Sequence, residues 1–296
     1  MVEPTTTKIR SDCMKKIKVC ITGANGQLGK ELQEVFTLDK YEVHPLGKDV
    51  LDVTKMEDVM RLMQQLQPDI VIHAAAYTKV DKAEDEQALA FLVNAIGTRN
   101  IAVAAQEYNA KLVYISTDYV FSGDQKEGYH EFHATAPINI YGHSKLAGEQ
   151  FVQSLHHRYF IVRTSWLYGK YGHNFVKTIL RLADEREEIS IVSDQIGSPT
   201  YAGDLARMIE KLVETNLYGI YHVCNSGSCS WYEFAKNALQ IMRKDVKVHP
   251  ITTKDYGAKA KRPQYSILKN HMIELNGFPI LRGWNEALAQ CIERIK

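Results

Sequence analysis

The stretch 17-IKVCITGANGQLG-29 decides how the rest of the chain is read. Its first six residues are a short apolar run, and the glycine-rich 23-GANGQLG-29 follows without a break. Beyond it, Leu28, Leu32, Val35 and Phe36 recur at helical spacing on one face. Strand, glycine turn and helix is the order a dinucleotide-binding unit requires. Glycine lets the chain turn sharply and brings its backbone against a pyrophosphate, while the helix N-terminus offers free N–H groups and a partial positive charge. Gly23, Gly26 and Gly29, with Gln27 and Leu28 between them, are therefore candidate cofactor contacts. The strand and helix on either side lift the motif above an ordinary tight turn.

Outward from this unit the same rhythm repeats. A second strand is expected at 42-EVHPL-46, interrupted by Pro45, and a helix capped by Thr54 at 54-TKMEDVMRLMQQL-66. A buried-type strand follows at 69-DIVIHAAA-76, then a long helix over 84–107 and a strand at 111-KLVYIST-117. Residues 144–154 read as helix and 159-YFIVRTS-165 as strand. Strands alternating with helices imply right-handed βαβ units and a parallel sheet, and their near-continuous hydrophobicity fits a sheet covered on both faces. Past residue 166 the rhythm loosens, with helices at 175–187 and 201–214, a strand at 219-GIYHVC-224, a helix near 230–243, a loop rich in Lys and Pro, and a last helix near 284–295. The expected fold is α/β, a Rossmann-type doubly wound parallel sheet with a smaller C-terminal substrate-binding lobe. The expected division is a disordered extension at 1–13, a dinucleotide-binding domain at 14–165 rejoined by 201–224, and a lobe made of 166–200 and 225–296.

Composition narrows the function. The 296 residues are 45% apolar and 24% charged with a net charge of +1, so no global field draws the chain to nucleic acid or an anionic membrane. No apolar run approaches the roughly 18 residues of a membrane helix, and MVEPTTTKIRSDC lacks the apolar core of a signal peptide. Five scattered cysteines, an odd number without zinc-knuckle spacing, are expected as reduced thiols in a cytoplasmic protein.

Three further places carry chemistry. At the end of the second strand, 46-LGKD-49 sets both charge signs side by side, and Lys48 tilts the expectation toward NADPH while leaving NADH open. Asp52 and Val53 are placed for the adenine, although Asp52 also reads as a helix cap, and Ala74, Ala75 and Ala76 either leave room for the cofactor or pack closely. In 141-YGHSK-145, Tyr141 and Lys145 stand one helical turn apart. A phenol alone titrates near about 10, and a neighbouring ammonium lowers that, so the pair suits acid–base work near neutral pH. Ser116 and Thr117 end a strand at the carboxyl edge of the sheet, where a hydroxyl can hydrogen-bond a carbonyl oxygen.

With these residues assembled, the chain resembles the extended short-chain dehydrogenase/reductases and, within them, the dTDP-4-dehydrorhamnose reductase family. The stretches that carry the resemblance are 23-GANGQLG-29, 73-HAAAYTKVDKAE-84, 114-YISTDYVFSG-123, 141-YGHSKLAGE-149, 163-RTSWLYG-169, 173-HNFVKT-178 and 194-DQIGSPT-200, which span nearly all of the chain after residue 14. The resemblance implies hydride transfer from NADPH or NADH to C4 of a dTDP-4-keto sugar. It implies Tyr141 as proton donor, Lys145 on the nicotinamide ribose and Thr117 on the reacting oxygen. It further implies Asp118 and Trp166 in the sugar pocket, Asn174, Gln195 and Thr200 where the lobe meets the nucleotide, and Arg262, in 260-AKRPQYSIL-268, at the diphosphate. Some members of the family are Mg²⁺-dependent dimers. Glu185, Glu187 and Glu188 read more simply as a solvated helix end, so no catalytic metal is expected, and monomer or homodimer stays open. The expected partner is the sugar nucleotide, with neither nucleic acid nor membrane. Two rivals stand beside this reading. A 4,6-dehydratase would carry an acidic pair after the threonine where Thr117-Asp118 is followed by Tyr119, and an epimerase would hold NAD⁺ tightly. A regulatory subunit of methionine adenosyltransferase would not need Thr117, Tyr141 and Lys145 intact.

Overall fold

In the computed structural model, which describes residues 15–37 and 39–295, the opening apolar run is strand β1 (Ile17–Thr22) and the glycine loop leads into helix α1 (Gln27–Val35). The expected extension at 1–13 lies outside the described residues. Strand β2 (Tyr41–Leu46), helix α2 (Met56–Leu66), strand β3 (Ile70–His73), helix α3 (Gln87–Glu107), strand β4 (Lys111–Thr117), helix α4 (Ile140–Leu155) and strand β5 (Tyr159–Thr164) continue the alternation. Helices α5 (Phe175–Glu185) and α6 (Ala202–Val213) flank the short strand β6 (Glu188–Val192), and strand β7 (Gly219–His222) pairs with β5. Helix α7 (Trp231–Ile241), strand β8 (Lys247–Ile251) and helix α8 (Trp284–Ile295) complete the principal elements.

The main sheet runs β7-β5-β4-β3-β1-β2, and every pairing in it is parallel. The chain winds outward from β1 to β2, then crosses to the other side of β1 for β3. That reversal opens a crevice at the carboxyl ends of β1 and β3, where α/β sheets bind ligands. Side chains of β1 alternate between two cores. Val19 and Ile21 pack with Leu32 of α1, Phe36 at its C-cap, and Leu205 and Ile209 of α6. Cys20 faces Val59, Met63, Ile101 and Ala105 from α2 and α3. Coverage on both faces is why the strands read as unbroken apolar runs. Helix α3 is long and apolar enough to cross a bilayer by length and composition, yet 56% of that apolar window is buried inside the fold.

Several boundaries differ from the sequence expectation for local reasons. Thr54 does not cap α2: Lys55 holds the cap position, and Thr54 donates its backbone N–H (3.1 Å) and hydroxyl (2.7 Å) to Asp52 Oδ1. Helix α4 starts four residues before 144, because Asn139 Oδ1 accepts the Gly142 N–H at 2.8 Å and caps it. Tyr141 therefore sits in its first turn. The stretch read as a Lys- and Pro-rich loop contains β8, which pairs in parallel with β6, Lys247 opposite Glu188. This two-stranded ladder, with α5, α7 and α8, builds the C-terminal lobe around Tyr168, Phe234, Leu288 and Ile292.

Candidate active site

A cleft of about 980 Å³ runs along the carboxyl ends of β1, β3, β4 and β5, walled on its far side by residues 164–167 and 172–173. At one end the glycine loop forms a cradle that tolerates no side chain. Gly23 has φ +66°, and a Cβ there would stand 2.7 Å from the Ala75 nitrogen. A Cβ on Gly29 would stand 2.4 Å from the Gly23 carbonyl oxygen. Helix α1 begins at this loop with no side-chain cap, since Gly26 holds the cap position. Its first-turn amides and dipole face the cleft, a setting that suits a pyrophosphate. Gln27 donates to the Leu167 carbonyl (3.1 Å) and accepts from Asn174 (2.8 Å), tying this end of α1 to the lobe.

Every residue expected at the cofactor lines this cleft: Gly23, Gly26, Gln27, Leu28 and Gly29 of the loop, Lys48, Asp52 and Val53 beyond β2, Ala74, Ala75 and Ala76 beyond β3, and Tyr141 and Lys145. The two bonds from Thr54 hold the Asp52 carboxyl below the usual carboxylate range, and Asn100 donates to the Val53 carbonyl at 3.0 Å. The residues present thus fit a dinucleotide, with an amide-lined cradle for phosphates and a cation, Lys48, beside the end of β2.

The reactive corner lies where β4 ends. Thr117 and Asp118 leave the strand, and α4 brings Tyr141 and Lys145 across from them. Asn94 fixes the approach of α4. It sits in a π-helical segment of α3 (Leu92–Gly97), accepts the Tyr77 N–H at 2.7 Å and donates to Ser144 Oγ at 2.9 Å. Ser144 in turn donates to the Tyr141 carbonyl at 2.8 Å. The Lys145 ammonium is buried, donates to the Ile115 carbonyl at 2.7 Å and lies 4.1 Å over the Tyr114 ring. Burial pulls Lys145 down to about 7, with Glu149 pushing the other way. The expectation that Lys145 depresses the Tyr141 phenol is corrected here. Burial first, and then Asp118, hold the phenol above its ordinary range, with only the Thr117 hydroxyl acting downward. A phenol held protonated at neutral pH is the form a proton donor needs.

Of the residues expected at the substrate as a whole, sugar, nucleotide and diphosphate together, Thr117, Asp118 and Trp166 line the cleft. Trp166 has φ +46°, an uncommon conformation for a bulky residue, and it is held there from both sides. Its indole lies flat on Trp231, centroids 3.5 Å apart, and its Nε1 donates to Ser266 Oγ at 3.1 Å. The other four are not on the wall; Asn174, Gln195 and Arg262 spend their side chains on the protein, and the buried Thr200 hydroxyl has no hydrogen-bond partner. Asn174 caps α5 through the Lys177 N–H and holds Gln27. Gln195 is spent on Thr253 (3.0 Å) and Trp231 (3.2 Å). Thr200 is fully buried in a two-residue ladder beside Leu167. Arg262 makes a two-pronged ion pair with Asp81, 2.7 Å at its closer prong. An arginine in a basic loop reads as free for phosphate only when its carboxylate, here 181 residues away, is invisible.

The cleft also holds residues the sequence did not single out, among them Asn25, Tyr77, Leu89, Val93, Thr164 and Ser165. Thr164 and Ser165 end β5 at the same edge as Thr117, so strand-end position was a usable signal. Leu89 and Val93 reach the cleft from α3, which only the packing reveals. Among the described residues no group of three or more His, Cys, Asp or Glu stands together to hold a metal.

The family of the RmlD substrate binding domain matches residues 17–296. The chain is 43% identical over 276 residues to the spore coat polysaccharide biosynthesis protein SpsK of Bacillus subtilis, covering 93% of this chain and 97% of that protein. It is 42% identical to a dTDP-4-dehydrorhamnose reductase of Aggregatibacter actinomycetemcomitans, covering 85% of this chain and 90% of that one. A solved dTDP-4-dehydrorhamnose reductase from Bacillus anthracis, in complex with NADP, superposes with a TM-score of 0.93 at 59% identity, covering 94% of this chain and 99% of that one.

Proposed function

The chain belongs to the RmlD substrate binding domain family, and from that premise we propose that it reduces the C4 keto group of dTDP-4-dehydro-L-rhamnose with NADPH. The observation that carries this reading is the convergence of Thr117, Tyr141 and Lys145 on one cleft with the glycine cradle. When bound, the reduced nicotinamide supplies the hydride that C4 receives. The chain's own residues do the rest. Gly23, Gly26 and the first turn of α1 hold the pyrophosphate, while Ala74, Ala75 and Ala76 leave space beside it. Lys145 holds ribose hydroxyls. Thr117 donates to the C4 oxygen, and Tyr141 protonates that oxygen as it becomes an alkoxide. Asp118 and Trp166 form the sugar side of the pocket, with the lobe seating the nucleotide.

The test is loss of reduced-nicotinamide absorbance with dTDP-4-dehydro-L-rhamnose, run with NADPH and with NADH. Turnover supports the reading. Intact cofactor binding without turnover on this or another 4-keto sugar nucleotide would move the protein toward a regulatory role. Lys48 provides a sharper expectation. A cation beside the ribose 2′-position favours the extra phosphate, and losing one charge-assisted contact costs about tenfold. Lys48→Ala should therefore raise KM for NADPH by about tenfold and leave KM for NADH nearly unchanged. Equal changes for both cofactors would remove Lys48 from the 2′-phosphate site.

A further inference from the structure

The two acids beyond the end of β2 are both engaged by the protein, but in different ways. Asp52 takes two bonds from Thr54 on its Oδ1. Asp49 instead accepts the side-chain amide of Asn25, Nδ2 to Oδ1 at 3.1 Å. That bond joins the turn after β2 to the glycine loop, one residue before Gly26 at the cap position of α1. Gly47 makes it possible: a Cβ there would collide with Asn25 Nδ2 and with Asp49 Oδ1, so any larger residue would push the pair apart. The Gly47 carbonyl also accepts the Val50 and Leu51 amides at 3.0 and 2.9 Å, which holds the turn in one shape beside the Asn25 side chain. Asn25 and Lys48 are exposed and line the cleft, whereas Asp49 does not line it. The amide thus stands on the cleft side of the carboxylate.

We infer that Asn25 and Lys48 together hold the 2′-phosphate of NADPH, and that Asp49 serves as the anchor of Asn25, not as an acceptor for the adenosine ribose. The inference rests on dinucleotide binding in the cleft and does not depend on which sugar is reduced. A side-chain amide has two N–H groups. Asn25 gives one to Asp49, which fixes the plane of the amide and leaves the other for a phosphate oxygen. Lys48 adds a point charge from the turn itself. A free acid after the second strand would accept the ribose 2′-hydroxyl and disfavour a phosphate. Asp49 is occupied by Asn25 and exposed, so water and salt screen what repulsion it exerts. The opposite charges set side by side in 46-LGKD-49 therefore have separate tasks: Lys48 meets the phosphate, and Asp49 holds the neutral donor that meets it too. Because Asp49 acts through Asn25, it is a positioning residue.

The experiment is titration calorimetry of the full chain with NADPH, NADH and adenosine 2′,5′-bisphosphate, without any sugar nucleotide. Asn25→Ala should raise Kd for NADPH and for the bisphosphate by about tenfold, the worth of one hydrogen bond to a charged group, and leave Kd for NADH nearly unchanged. Asp49→Ala should weaken NADPH in the otherwise wild-type chain. In the Asn25→Ala background the same change should tighten NADPH slightly, because only the loss of a negative charge remains. A merely structural role for Asp49 would neither reverse sign between the two backgrounds nor spare NADH. Gly47→Ala, whose Cβ would meet the ends of those two side chains, should reproduce the effect of Asp49→Ala with a melting temperature near wild type. Selective weakening of NADH by Asp49→Ala would make Asp49 the ribose acceptor and overturn the proposal. Equal changes for all three ligands would overturn it too, since the turn would then only support the fold. If the bisphosphate responds as expected while no 4-keto sugar nucleotide is reduced, the fault lies with the functional reading, and the assignment of Asn25 stands.

Discussion

Replacing Tyr141 with phenylalanine should lower kcat by about 10²–10⁴-fold, the usual worth of a positioned general acid, while leaving NADPH affinity and melting temperature near wild type. The substitution removes one oxygen and keeps the ring. That ring packs edge-on against Tyr119, centroids 5.6 Å apart at 77°, a contact phenylalanine preserves. The approach of α4 is fixed by Asn139, Asn94 and Ser144, none of which uses the phenolic oxygen. The fold therefore has little reason to respond. The chemistry has no substitute at that position, because the Lys145 ammonium is engaged by the Ile115 carbonyl and Thr117 has only its hydroxyl to offer. Steady-state kinetics beside a thermal shift with NADPH separates the two effects. A variant that keeps a tenth or more of the wild-type kcat would dismiss Tyr141 as the donor. A variant that loses cofactor binding as strongly as turnover would make it a ribose contact instead.

How much of this was legible in the sequence depended on how local each signal was. The glycine loop, the strand run before it and the helical pattern after it lie within 17–36, so sequence order alone places the cradle. Tyr141 and Lys145 are related by one helical turn, and Thr117 by its place at a strand end, so the reactive corner could also be assembled from local geometry. Strand β8 is not legible in the sequence because its side chains are mostly exposed and it contains Pro250, and its partner β6 lies 59 positions earlier along the register. Arg262 illustrates the same limit at a site. Its charge is visible in the sequence, but the Asp81 that engages it is reached only through the fold. The Tyr141 phenol departs from the sequence expectation for a related reason. Spacing shows that a lysine is one turn away, but it reveals neither the Ile115 carbonyl that takes the ammonium nor the buried Asp118 beside the phenol.

Glu149→Leu should destabilise the protein by about 3–5 kcal/mol, the cost of leaving one member of a buried ion pair alone. Glu149 stands one turn beyond Lys145 on α4, and both it and its partner Arg163 are buried. Its carboxylate accepts Arg163 Nε at 2.9 Å and Nη2 at 2.7 Å, and the Ser116 hydroxyl at 2.5 Å. Arg163 Nη1 already lacks a partner, so the guanidinium has nothing to fall back on when the carboxylate goes. Leucine is similar in volume, so the loss reports the charge more than a cavity. The double variant Glu149→Leu, Arg163→Met should recover most of the stability, because two apolar side chains can replace a buried pair. Urea unfolding of the wild type, the single and the double variant reads this directly, and a single variant within about 1 kcal/mol of wild type would show that the pair is solvated in practice. The same substitution reaches the active site through Lys145. Glu149 opposes the desolvation that brings that lysine to about 7, and without it the lysine should lose its proton at lower pH. A double variant that regains stability while its activity still fails at neutral pH and recovers in acid would place the buried pair in service of the Lys145 charge, whereas full recovery of both would leave it a packing device alone.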